Sequence, residues 1–320
     1  MIAFPCRASR RRGTARKVAS LIVTALVTTT VTMPTSSALG SSNPLQPVIA
    51  PETPGCVSHY AIAIPGGTTT FDSNHPERQP IGAFASEVAE RLARTNPGKI
   101  KARHVGYRTW PGAGFTYEQG VSDGVRSTNA MLRRLASQCP DATFSLTGYS
   151  MGADVGSHVL NEIGNGHGAI PAEKLAAASL IANPRRGMEG VVEYGNAHHS
   201  KGVLGPVEGG LGSVAHRVLE PCKAGDSACD SDPRLVGFGR AVTKTALATG
   251  TQPVADMGAQ VASQGPGKIA EFIGMVLGSL PGWRTHQTYE TINVVGGSAK
   301  FIEKNVEAME RRDDASPAGS

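Results

Sequence analysis

The chain has 320 residues, enough for one or two domains with a substantial core, and a formal net charge of +5. The charge invites a nucleic-acid reading, which its distribution excludes. Arg7, Arg10, Arg11, Arg12, Arg16 and Lys17 all lie within the first 40 residues, where there is no acid, and the remainder carries 25 basic against 26 acidic residues.

Taken from the start, residues 1–40 read as a secretory signal peptide. A basic region precedes an uncharged stretch from Val18 to Met33, and small residues follow around Ser36 to Gly40. The same stretch retained as an N-terminal anchor is the alternative, though it is short and Thr-rich for a membrane span. Export makes an oxidising compartment the expectation. Cys6 falls in the leader, leaving Cys56, Cys139, Cys222 and Cys229, which permit three disulfide connectivities. The short separation of Cys222 and Cys229 favours a small stapled loop, and Cys56 is then left for Cys139. The spacing does not suit zinc.

Residues 41–55 form a Pro-rich approach segment, with Pro44, Pro47, Pro51 and Pro54. From Cys56 onward the pattern alternates. Val57–Ile64 reads as an apolar strand ending in the loop Pro65-Gly66-Gly67-Thr68-Thr69-Thr70, and Ile81–Arg94 has apolar residues at helical spacing. Ile100–Tyr107 is a second strand, Val121–Leu135 a helix, Ala142–Thr147 a third strand, and Leu175–Ile181 a fourth. Such alternation implies an α/β fold whose mostly parallel sheet is covered by helices on both faces. Residues 183–215 read as a long surface loop carrying His198-His199, and His216–Leu219 as a last core strand. Residues 234–280 are expected to form a helical insertion, with an amphipathic stretch at Lys268–Leu280. Ala299–Met309 is a terminal helix, the domain closes near 310, and the polar residues 311–320 form a disordered tail.

Gly148-Tyr149-Ser150-Met151-Gly152 sits between the third strand and a small-residue helix start. A G-x-S-x-G in that setting is a nucleophile elbow: the turn is too tight for side chains at the flanking positions, and the helix N-terminus favours negative charge near the serine. Catalytic order on such folds is Ser, acid, His. His286 is the single histidine beyond Asp226, and Asp226 lies within the Cys222–Cys229 loop. His198, His199 or His216 with an earlier carboxylate such as Glu162 form a less convincing set, and Glu220 and Asp230 are the alternative acids.

These motifs together resemble the cutinase family. The resemblance rests on Cys139-Pro140-Asp141-Ala142-Thr143, the Gly148-Tyr149-Ser150-x-Gly152 elbow, Cys222-x-x-Gly225-Asp226-x-x-Cys229 and His286-x-x-Tyr289, and covers roughly residues 56–310. Pro65-Gly66 and Asn183-Pro184-Arg185-Arg186-Gly187 look closer to exported cell-envelope enzymes of mycolate-bearing actinobacteria. The resemblance implies an α/β-hydrolase, Ser150, Asp226 and His286 as a triad, and disulfides Cys56–Cys139 and Cys222–Cys229. The implied oxyanion hole uses the N–H of Met151 and Thr68, with Gly67 and Thr69 as alternatives for the latter. Two departures stand out: Met151 replaces the usual Gln, and some sixty residues separate Asp226 from His286. The expected activity is that of a secreted or cell-envelope serine esterase or lipase needing neither metal nor cofactor. Its partners would be a lipid or ester substrate, with membrane or envelope contact and no nucleic acid, and the protein would be a monomer. The alternatives are an acyltransferase, phospholipase or thioesterase and, outside enzymology, a catalytically silent envelope-binding protein.

Overall fold

The computed structural model describes residues 55–70, 84–109, 115–232, 281–282 and 284–315. The leader, the approach segment, the 234–280 insertion and the last five residues lie outside them.

Six strands form one sheet: β1 (His59–Ile64), β2 (Ile100–His104), β3 (Thr143–Tyr149), β4 (Leu175–Ile181), β5 (Val192–Gly195) and β6 (Val218–Cys222). Their order is β2-β1-β3-β4-β6-β5, and every neighbouring pair is parallel. Strands buried on both faces read as continuous apolar runs, which is why β1 and β4 stand out in the sequence. All residues of both are buried. In β1, Tyr60, Ile62 and Ile64 feed one core while Ala61 and Ala63 feed the other, the period-two alternation of a strand.

The helices α1 (Phe84–Thr95), α2 (Tyr117–Gln138), α3 (Met151–Gly164) and α4 (Val294–Ala315) flank the sheet. Val121, Met131, Leu132 and Leu135 of α2 and Val155, Val159 and Leu160 of α3 join the core on one face. Val88 and Leu92 of α1 and Val294, Ile302 and Val306 of α4 join the core on the other. Helix α2 starts at a capping box, Thr116 and Gln119 each bonding the other's backbone N–H. Cys56–Cys139 ties the start of β1 to the end of α2.

The 183–215 segment differs from the expected surface loop. It contributes β5 to the sheet edge and buries Met188, Ala197, Leu204, Val207 and Leu211. Arg186 is 1% exposed, donating to the carbonyls of Glu220 and Ala197 and to Ser200 Oγ, and pairing with Glu193. An edge strand of four residues with Val192 exposed has too little alternation to be seen in sequence.

His59 is 1% exposed at the foot of β1, its Nδ1 2.8 Å from Thr143 Oγ1 and its Nε2 2.9 Å from Ser145 Oγ. Burial pushes its pKa down from 6.5 to about 3. The unfolded chain therefore binds a proton that the folded chain refuses, and the stability this group contributes is lost as pH falls from 6.5 towards 3. The slope approaches about 1.4 kcal/mol per pH unit. Glu220, raised by burial from 4.5 to about 7, acts in the opposite sense as pH rises through that window. The comparison is therefore made between variants. Urea unfolding of wild type and His59→Gln between pH 7 and 4 should show a flatter acid-side loss in the variant. Parallel curves would assign the acid sensitivity to other groups.

Candidate active site

Strand β3 delivers Ser150 to the C-terminal edge of the sheet, where Ser150 takes φ 56° and ψ −118° before α3 begins at Met151. A positive φ on a non-glycine residue costs on the order of 1–3 kcal/mol and needs surrounding structure to hold it. Here Ser150 N–H donates to Ile181 O at 2.9 Å, and the Ser150 carbonyl accepts from Ala153 and Asp154. The flanking glycines are sterically required. A Cβ on Gly148 would stand 2.3 Å from Gly152 O, and one on Gly152 2.1 Å from Ile64 O.

The histidine arrives from the chain just before α4. His286 Nε2 lies 2.8 Å from Ser150 Oγ, and its Nδ1 lies 2.9 Å from both carboxylate oxygens of Asp226. An ionised carboxylate can only accept, so Nδ1 carries the ring proton and Nε2 is left to accept from the serine hydroxyl. Tyr149 fixes the ring from beside the nucleophile. Its ring stacks on His286 with centroids 5.3 Å apart, and its hydroxyl donates to His286 O at 2.7 Å.

Asp226 is fully buried. Its loop is closed by the Cys222–Cys229 disulfide and turned by Gly225 at φ 80°. Ala228 N–H donates to Oδ1 at 2.7 Å and Tyr289 Oη to Oδ2 at 2.6 Å. The alternative residues are engaged elsewhere. Glu162 accepts from Asn129, Glu220 from Asn183, and Asp230 from Gly225 N–H. His198, His199 and His216 are exposed.

For an oxyanion, the first backbone bond at the start of α3 is donated by Ala153, so the Met151 and Gly152 N–H groups precede the helical ladder. Thr68 differs from expectation. Its N–H donates to Thr109 O at 2.5 Å, and the N–H groups of Thr69 and Thr70 donate to Thr109 Oγ1. The backbone of this loop is thus tied to Thr109. The Thr68 hydroxyl is exposed and has no hydrogen-bond partner among the described residues, whereas that of Thr69 donates to Gly66 O at 2.6 Å. Thr68 sits at φ 65°, another strained position at the head of the sheet.

One turn into α3, Asp154 is fully buried against Arg185 Nε at 2.8 Å and His158 Nε2 at 3.4 Å. Burial works to raise its pKa, but the bonds and charges of these partners outweigh it and hold the carboxyl below the usual range. Sequence reasoning missed Thr109, the clamp role of Tyr149 and this cluster, none of which has a local signature.

The cutinase family profile matches residues 68–246, more than half of the chain and including both Ser150 and Asp226. The chain belongs to the cutinase family. Cutinases are ester hydrolases, and that class of activity comes with the family. Among curated relatives, the chain is 26% identical over 218 residues to a carboxylesterase Culp6 homolog of Corynebacterium glutamicum, covering 58% of this chain and 69% of that one. It is 26% identical over 184 residues to an acetylxylan esterase of Hypocrea jecorina, covering 53% of this chain and 60% of that protein. Similar solved structures include the catalytic core domain of acetyl xylan esterase from Trichoderma reesei, at 18% identity and TM-score 0.44 over 68% of this chain and 99% of that one. Lysin B from Mycobacteriophage D29 matches at 19% identity and TM-score 0.45 over 74% and 90%. This family member carries both disulfides expected of it, with Cα separations of 5.6 Å for Cys56–Cys139 and 6.0 Å for Cys222–Cys229.

Proposed function

We propose that the protein is an exported serine esterase that hydrolyses lipid-like carboxylic esters through an acyl-enzyme. The observation that carries this reading is the continuous hydrogen-bond chain Ser150–His286–Asp226, presented on a strained elbow. His286 Nε2 takes the Ser150 proton as Oγ attacks the ester carbonyl, and the carbonyl's π electrons move to oxygen. The Met151 N–H at the head of α3 and the Thr68 hydroxyl are the donors for that oxyanion. When the tetrahedral species collapses, the C–O bond to the alcohol breaks and imidazolium gives the alcohol its proton. Water, deprotonated by the same nitrogen, then releases the acid and restores Ser150. Asp226 holds the ring tautomer and stabilises the imidazolium throughout.

Export is supported by the leader sequence and by two disulfides, which persist outside the reducing cytosol. A lipid-like acyl group is supported by the likeness of Pro65-Gly66 and the Asn183–Gly187 stretch to exported envelope enzymes. The test is turnover on p-nitrophenyl esters of graded chain length, run beside phospholipid and acyl-thioester substrates and with a fluorophosphonate label. Ester turnover that rises with chain length, and labelling at Ser150, are the expected results. Labelling at another residue would remove the elbow from the mechanism. Preference for the thioester would reassign the leaving group, and acyl transfer to added alcohol over hydrolysis would reassign the acceptor.

A further inference from the structure

Tyr289 stands three residues beyond His286, its ring edge-on to the imidazole, and its hydroxyl reaches the acid loop at three points. The residue is fully buried. Its oxygen lies 2.6 Å from Asp226 Oδ2, 3.2 Å from the Lys223 backbone nitrogen and 3.1 Å from Cys229 Sγ. The direction of its one proton follows from these neighbours. Lys223 N–H is a donor, so the phenolic oxygen accepts there. A disulfide sulfur is a weak acceptor and an ionised carboxylate a strong one, so the O–H is given to Asp226.

The consequence lies in how Asp226 shares its charge. The imidazole Nδ1–H lies 2.9 Å from both oxygens, while the phenol adds a bond to Oδ2 and Ala228 N–H one to Oδ1. A donor on the carboxylate withdraws negative charge from the group that faces the histidine, inside a site buried from water where such effects are strong. We propose that Tyr289 is a positioning residue of the esterase, its hydroxyl fixing the orientation of Asp226 and tempering how strongly that carboxylate favours the charged imidazolium. The proposal rests on the Ser150–His286–Asp226 reading.

Tyr289 stays protonated while doing this, because burial and the adjacent Asp226 push its ionisation far above the usual phenol range. Among the described residues, the other charged or titratable groups near the pair are Tyr149 from β3, Lys223 and Asp230 from the acid loop, and Glu290, next in sequence to Tyr289, which Glu87 of α1 faces. Lys223 Nζ is turned to Thr288, donating to its carbonyl and hydroxyl.

Tyr289→Phe removes the hydroxyl and keeps the ring. The expected result is a kcat lower by on the order of ten- to a hundredfold at unchanged KM, with the melting temperature retained. Without the phenol, Asp226 favours imidazolium more, so the acidic limb of the kcat/KM profile moves to higher pH by about half to one unit. Site-specific replacement of Tyr289 by 3-fluorotyrosine strengthens the donor at almost constant shape and should move the same limb to lower pH. A Phe variant with wild-type kcat and an unmoved limb would overturn the proposal. If the Phe variant does not fold, an unmoved limb in the fluorotyrosine enzyme would do so. Ser150→Ala assayed alongside separates the two levels: an active Ser150→Ala enzyme removes the triad itself, whereas an inactive one beside an unaffected Tyr289→Phe removes this inference alone.

Discussion

Ser150→Ala is expected to lower kcat for ester hydrolysis by on the order of 10⁴–10⁶-fold while leaving the melting temperature close to wild type. The size follows from the loss of the covalent route. Without Oγ, the imidazole 2.8 Å away has no nucleophile to activate, and what remains is oxyanion stabilisation and binding. The fold tolerates the change because Ser150 is held by its backbone, its N–H on Ile181 O and its carbonyl on Ala153 and Asp154. Alanine at φ 56° meets the same strain that serine already bears. Removing His286 or Asp226 in the Ser150→Ala background should add little further loss, since the three act as a unit. A Ser150→Ala enzyme within tenfold of wild type would place the nucleophile elsewhere.

Asp226→Asn should cost on the order of 10³–10⁴-fold in kcat, and its mechanism is specific. Ala228 N–H donates to Oδ1, so an asparagine places its carbonyl oxygen there and its amide nitrogen at the Oδ2 position. That nitrogen then points donors at Nδ1 of His286, where a carboxylate offered only acceptors, and competes with the carbonyl that lies equally close at the Oδ1 position. When Nδ1 accepts from the amide, the ring takes the tautomer that is protonated at Nε2, facing Ser150 Oγ with no lone pair to take its proton. The amide also confronts the Tyr289 hydroxyl, which loses its acceptor. KM should change little. Activity of Asp226→Asn within tenfold of wild type would move the acid to another carboxylate, against the geometry of Glu220 and Asp230, each of which is bonded elsewhere.

The parts of this site legible in the sequence are those with a local signature. Gly148 and Gly152 are dictated by a backbone that leaves no room for a Cβ, and Cys222 with Cys229 brackets Asp226 within eight residues. Strands β1 and β4 are legible because burial on both faces leaves them almost wholly apolar, with His59 and Ser179 the polar exceptions. What the sequence hides is made by chain segments that meet only in space. Thr109 secures the Thr68 loop from forty residues away, and Tyr149 caps a histidine 137 positions later. Arg186 reads as one member of a charged pair in a loop, yet it is buried because two backbone carbonyls, a serine and Glu193 together satisfy its guanidinium. His59 reads as a polar start to a strand, and its burial depends on hydroxyls supplied by β3.

The segment between the acid and the histidine returns to the acid loop from which it departs. Ser231 N–H is bonded to Lys201 O as the chain leaves, and on return a Cβ at Gly282 would stand 2.1 Å from Ser227 Oγ and 2.6 Å from Gly225 O. His286 N–H then bonds Gly282 O. With the outgoing end fixed on Lys201 and the returning end on the acid loop, the catalytic register does not measure the chain between them. Closure entropy grows only logarithmically, by about 0.6 kcal/mol for each doubling of length. Residue number between Asp226 and His286 is therefore a nearly free variable for evolution or engineering: sequence can be inserted or removed between the two ends while the acid and the base keep their places.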